Sequence, residues 1–294
     1  MDDADDLRRA RSPDRVGTPW RAPRRPSGRG APRRPRGGHM TTSQGAVTVL
    51  AVHGNGGGGE RFARCAAHMP EGTRLVAPTL PGFAARPRDP ALRTLADYAD
   101  RLAEEVRAVT RAEGATPVLL GHGIGGSIAL DLVSRHPELV AGLVLHAPVG
   151  AHLDTRLFPR LMTTRPARAV VRRAISSRLL RPVWRRLFFP YGAPRPVLEE
   201  FFEAYRTCAV FGDMFDLITS SWFDGLSPVR GVPVVVLWGA DDRVLRRGQA
   251  DAVGEKVPGA EVVVREGWDH FPMIEQPEEY AVAIATIARD LLAR

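Results

Sequence analysis

Four stretches of this 294-residue chain combine glycine with side chains that could do chemistry. His53-Gly54-Asn55-Gly56 runs on through glycines to Gly59, and Gly121-His122-Gly123-Ile124-Gly125-Gly126 is a second glycine cluster. Gly239-Ala240-Asp241-Asp242 offers paired carboxylates, and Gly267-Trp268-Asp269-His270-Phe271 offers a histidine. Histidine takes and returns protons near neutral pH, and a carboxylate beside it can fix its tautomer. Glycine-rich turns let the backbone approach a ligand closely. Other chemistries have less support. The run Gly56 to Gly59 is not a phosphate loop, since no Gly-Lys-Ser/Thr follows and the ribose-binding acid of a dinucleotide site is missing. Its expected use is a mobile turn lying close to substrate. His68, His136, His146 and His152 do not fall at metal-ligand spacings, so neither a metal nor a cofactor is expected.

The elements that must position these residues read as alternating strands and helices. Strands are expected at 46–52, 74–77, 118–120, 143–145, 234–237 and 262–264, and those at 143–145 and 234–237 lack polar alternation, as strands of a parallel sheet covered on both faces do. Leu95, Tyr98, Leu102, Val106 and Val109 recur at three- and four-residue intervals, which predicts a helix over 95–111, and further helices are expected over 128–135 and 277–292. This order implies a doubly wound α/β fold with a mostly parallel sheet. Each glycine-rich cluster then follows the carboxyl end of a strand, where ligands of open α/β sheets bind. Between Gly150 and about Asp224 the alternation stops, and a helical segment punctuated by Pro159, Pro166, Pro182, Pro190, Pro194 and Pro196 is expected to form an inserted lid. The expected organisation is an arm over 1–43, a core over 44–149 and 226–294, and a helical lid over 150–225.

The formal charge of +8 points toward nucleic acid until it is divided. Residues 1–40 hold eleven Arg against five Asp, and 152–198 hold eleven Arg against the single acid Asp154, which leaves −8 for the rest. Nucleic-acid binding therefore loses its support. The arm has almost nothing apolar to bury and is expected to be disordered, with Met40 as an alternative start. In the lid, Arg172, Arg173, Arg178, Arg181, Arg185 and Arg186 alternate with Val170, Val171, Ile175, Leu179, Leu180, Val183 and Trp184. Two readings stay open: a basic surface for an acidic partner, or an apolar face laid on the sheet with solvated arginines. Phe188, Phe189, Phe201, Phe202, Phe211, Phe215, Trp222 and Phe223 are expected to wall an apolar pocket for a small hydrophobic substrate. No integral membrane span is expected, because the apolar runs are only strand-length. Cys65 and Cys208 read as buried thiols, and a reducing, cytoplasmic setting follows.

Taken together and in this order, the clusters resemble the α/β-hydrolase fold family over roughly Val47 to Arg294. In that family a nucleophile sits on a sharp strand-to-helix turn within G-x-S-x-G, a histidine takes its proton, and a carboxylate orients the histidine. Gly121 and Gly125 match the flanking glycines and His122 the residue between, which places Gly123 at the nucleophile position. The resemblance implies that His270 is the base and Asp242, rather than Asp241, the acid. It also implies that His53-Gly54 forms the first oxyanion turn, with the Asn55 and Ile124 N–H groups as donors. His53 and His122 read as structural, and Asp269 as a solvated loop acid.

Glycine at position 123 supplies no hydroxyl, thiol or carboxylate. Ser127, one helical turn on, aims along the helix and is a poor substitute. A His270–Asp242 pair with backbone donors still suits chemistry on an ester, lactone or related carbonyl compound: water-mediated hydrolysis, a lyase or C–C cleavage, or a cyclisation. The alternative is a catalytically silent binding protein. The N-myc downstream-regulated family, which also resembles the α/β-hydrolases with glycine near this position, is regarded as non-enzymatic.

Overall fold

Valine, leucine and isoleucine runs that cannot alternate with polar residues are driven into a sheet covered on both faces. The strands are β1 (Val47–Val52), β2 (Thr73–Val76), β3 (Val118–His122), β4 (Gly142–His146), β5 (Val234–Gly239) and β6 (Glu261–Arg265). They form one six-stranded parallel sheet in the order β2-β1-β3-β4-β5-β6. The central strands β3, β4 and β5 are buried throughout, whereas β2 and β6 at the edges are partly exposed. The computed structural model describes residues 46–155 and 157–294, so the arm expected over 1–43, and Met40 with it, lies outside the described residues.

Parallel strands need crossover helices. These are α1 (Ala63–Ala67), α2 (Leu95–Glu113) and α3 (Ile124–Arg135) in the first half of the chain. The α2 start is specified locally: Thr94 accepts the Asp97 N–H while the Asp97 carboxylate accepts the Thr94 N–H, a reciprocal cap worth about 1 kcal/mol. Gly114, at φ 70°, ends it, and Leu95, Tyr98, Leu102 and Val106 form its buried face. The third helix begins four residues earlier than its apolar periodicity predicts. Gly125 and Gly126 do not break it, because they let its first turn lie flat on the sheet. A Cβ at Gly125 would stand 2.5 Å from the Val52 and His53 carbonyl oxygens.

Between β4 and β5 the chain forms α4 (Leu157–Met162), α5 (Arg165–Ser176), α6 (Arg181–Phe188), α7 (Arg195–Thr207), α8 (Met214–Leu217) and α9 (Ser220–Gly225). Pro166, Pro182 and Pro196 start helices rather than stopping them, since the first turn has no use for their missing N–H. The expectation that the insert lays its apolar face on the sheet needs correction. Ile175 and Phe188 are buried, but Val170, Leu179 and Val183 are exposed by 67%, 90% and 61%. The short links around Ser177 and Pro190 turn successive helices before one continuous stripe can be buried.

The chain closes with α10 (Gln249–Lys256), which carries little apolar periodicity and escaped the sequence reading, then α11 (Pro272–Glu275) and α12 (Pro277–Leu292). Among the described residues no helix is long and apolar enough to cross a membrane. The strand order reverses direction at β1: β2 lies on one side and β3 on the other. The carboxyl ends of β1 and β3 therefore open a crevice at a topological switch point.

Candidate active site

The β3 strand stops at His122, and the next residue turns the chain into α3. Gly123 makes that turn at φ 56° and ψ −122°, a conformation that costs a residue with a side chain about 1–3 kcal/mol. The turn is packed from below: a Cβ on Gly121 would meet the Gly125 carbonyl and Gly126 Cα at 2.6 Å. Above it there is room. A Cβ on Gly123 would stand 3.5 Å from Gly54 Cα and 3.9 Å from His270 Nε2.

His270 reaches this point from the loop after β6. Its Nδ1 lies 2.8 Å from Asp242 Oδ2, in the loop after β5. The other Asp242 oxygen accepts the Val244 and Leu245 N–H groups at 2.8 and 2.7 Å, so the loop holds the carboxylate in place. The Asp242 side chain is only 1% exposed and that of His270 only 7%. With Nδ1–H donated to the carboxylate, Nε2 keeps its lone pair and faces Gly123. Asp241, the alternative by sequence, points away and accepts the Tyr191 hydroxyl at 2.6 Å.

His53-Gly54-Asn55 follows β1 on the far side of the crevice. Gly54, Asn55, Gly123, Ile124 and His270 all line one cavity of about 870 Å³. Neither the Asn55 nor the Ile124 N–H donates to another described residue. The Asn55 side chain is tied to the insert, its amide donating to the Phe211 carbonyl at 3.1 Å. Among the expected aromatic residues, Phe188, Phe211 and Phe215 reach the cavity, joined by Phe158, Tyr205 and Phe271. Phe189, Phe201, Phe202, Trp222 and Phe223 do not line it.

The alpha/beta hydrolase family model matches residues 49–283. The chain belongs to the α/β hydrolase family. It is 28% identical over 259 residues to a pimeloyl-[acyl-carrier protein] methyl ester esterase of Aromatoleum aromaticum, covering 82% of this chain and 98% of that one. It is 27% identical over 274 residues to a 2-hydroxymuconate semialdehyde hydrolase of a Pseudomonas species, covering 87% and 90% of the two chains. The structure of an esterase from Exiguobacterium antarcticum superposes with a TM-score of 0.66 at 19% identity, covering 83% of this chain and 92% of that chain.

Three further histidines brace this hydrolase crevice as neutral groups. His122 donates from Nε2 to the His270 carbonyl at 3.0 Å, and its ring lies tilted against the His270 ring with centroids 4.6 Å apart. Burial, then the neighbouring His270 and His146, holds its pKa well below the usual value. His53 accepts the Leu80 N–H at Nε2 and donates from Nδ1 to the Gly54 carbonyl, and burial lowers its pKa to about 3. His146, on Tyr280, is likewise lowered to about 3 by burial. Ser127 is fully buried and donates to the Val149 carbonyl at 2.5 Å, so its hydroxyl is committed to packing. Cys65 and Cys208 are buried free thiols, and burial pushes Cys65 up to about 12.

Asp269 is not the solvated acid expected, being 1% exposed. Its carboxyl faces that of Glu275: burial, then contact with Asp269, raises Glu275 to about 9. The sequence reading also missed Arg61, which lines the cavity at 5% exposure. The Gly-rich run beside it was the available signal. A Cβ on Gly57 would lie 1.9 Å from Arg61 Nε, and one on Gly56 2.3 Å from the Tyr205 ring. Those glycines make room for the Tyr205 and Arg61 side chains. Among the described residues no group of three His, Cys, Asp or Glu could hold a metal ion.

Proposed function

We propose that this chain is a hydrolase-family enzyme acting on a small hydrophobic ester, lactone or related carbonyl compound, with water as the nucleophile. The observation that carries the reading is the His270 Nε2 aimed at Gly123 while its Nδ1 is held 2.8 Å from Asp242. His270 takes a proton from water, the water oxygen attacks the carbonyl carbon, and the Asn55 and Ile124 N–H groups hold the oxyanion. Collapse breaks the bond to the leaving group, which departs with the proton from His270. A base of this kind contributes about 10²- to 10⁴-fold, so turnover is modest beside that of a serine enzyme. The same base serves C–C cleavage.

The aromatic residues of the insert favour a hydrophobic substrate, and the insert acts as a lid. Its arginines form the surface we assign to an acidic partner, and two unbridged thiols suit the cytoplasm. A second reading, a catalytically silent binding protein, draws on the missing side chain at Gly123. The deciding assay presents a panel of activated esters and lactones to the wild type, His270→Ala and Gly123→Ser. Wild-type hydrolysis that disappears in His270→Ala supports the enzyme. Hydrolysis appearing only in Gly123→Ser supports the silent pocket.

A further inference from the structure

The proposed chemistry gives no role to Arg61, the buried cation of the cavity. Several half-buried arginines among the described residues are satisfied by the protein itself. Arg168 pairs with Asp216, and Arg265 with Glu279. Arg61 is more deeply buried than either, yet its guanidinium donates no hydrogen bond to a described residue, and its Nε and Nη2 are enclosed without a partner. Its plane is instead held by aromatic faces, with Phe201, Tyr205 and Phe271 centred 4.6, 5.1 and 5.5 Å from Cζ. Cation–π contact fixes the position of the charge but leaves its N–H groups unused. The two carboxylates that line the same cavity, Asp154 and Asp224, are exposed, and neither pairs with it.

A guanidinium desolvated in this way is poised for an oxyanion, since planar N–H donors match a carboxylate and charge-assisted bonds strengthen out of water. Its place relative to the crevice is fixed as well. Arg61 Nη1 lies 3.4 Å from where a Gly54 Cβ would stand, and Gly54 Cα lies 3.5 Å from the corresponding point on Gly123. Only one glycine therefore separates the cation from the point of attack. We propose that Arg61 binds the free carboxylate of the substrate, so that the preferred substrate is an acidic ester or lactone whose carboxylate lies a few bonds from the reacting carbonyl. The glycines at 56 and 57 follow from this: they are small because a fixed cation and the ring that holds it must fit against the oxyanion turn.

The proposal rests on the hydrolase reading for the word substrate, but its test does not need turnover. Monomethyl glutarate and dimethyl glutarate have nearly the same shape and differ in one negative charge. Calorimetry and ligand-observed NMR on the full chain are expected to show the half-ester binding roughly 10- to 100-fold more tightly than the diester. Arg61→Met is expected to remove that preference while leaving diester binding in place, and Arg61→Lys to keep part of it. His270→Ala is expected to keep it in full. Equal binding of the two ligands by the wild type overturns the proposal, as does a preference that survives in Arg61→Met or a half-ester that does not bind at all. The wild-type comparison decides the matter even where Arg61→Met fails to fold. A charge preference without hydrolysis of any ester leaves Arg61 as an anion site and removes the hydrolase reading. Hydrolysis without the preference does the reverse.

Discussion

The strand ends and the inserted helices solve opposite packing problems. At the ends of β1, β3, β5 and β6, backbone and side chains hold one another: Asp242 is anchored twice and His122 pins the His270 carbonyl, while Gly125 admits no added atom. The insert is looser toward solvent, with Leu179 and Val170 largely exposed beside its arginines. On the proposed reading, the proton acceptor is built on the tightly packed part, and the more exposed part would read substrate shape. Substitutions should therefore act steeply in one region and weakly in the other.

The largest effect is expected at His270. Where the wild type hydrolyses an ester, His270→Ala should lower the rate by about 10²- to 10⁴-fold, measured as initial rates with unchanged folding by circular dichroism. Next comes the core under the crevice: Leu120→Ala should cost about 2–5 kcal/mol in urea unfolding. Acid should separate the regions too. His53 and His146 are neutral when folded with pKa near 3, but near 6.5 unfolded, so the stability they contribute is complete above pH 6.5 and is lost as pH falls toward 3. The slope is about 1.4 kcal/mol per pH unit for each, read from thermal midpoints between pH 4 and 7. Glu275 opposes this, since its raised pKa contributes most below pH 4.5 and the contribution is lost as pH rises through about 9.

Gly123→Ser should cost about 1–3 kcal/mol in backbone strain and yet add a burst of alcohol release from an activated ester, because the added atom meets His270 in open space. The smallest effect belongs to the insert: Leu179→Ser should change stability by no more than about 0.5 kcal/mol. A large loss there would erase the contrast between the two regions.

Much of this contrast was legible in the sequence. Strands β1, β3, β4 and β5 announce themselves because a buried parallel strand needs nothing but apolar residues, and Asp242 and His270 are visible because each follows a strand end. What sequence could not supply was depth. Asp269 looks like any loop acid until Glu275 folds against it. Arg61 looks like any surface arginine until Phe201 and Tyr205, far along the chain, close over it. Likewise, the periodicity in α5 and α6 identifies an amphipathic surface but not which way it faces, since the links between short helices set that.

Asn55 links the two regions through a single residue. It lines the cavity while its side-chain amide donates to the Phe211 carbonyl of the insert. Under the proposed mechanism that single bond would act as a latch: a guest that displaced the segment around Phe211 would also pull on the peptide we assign to the oxyanion, and size selection would then follow from one asparagine.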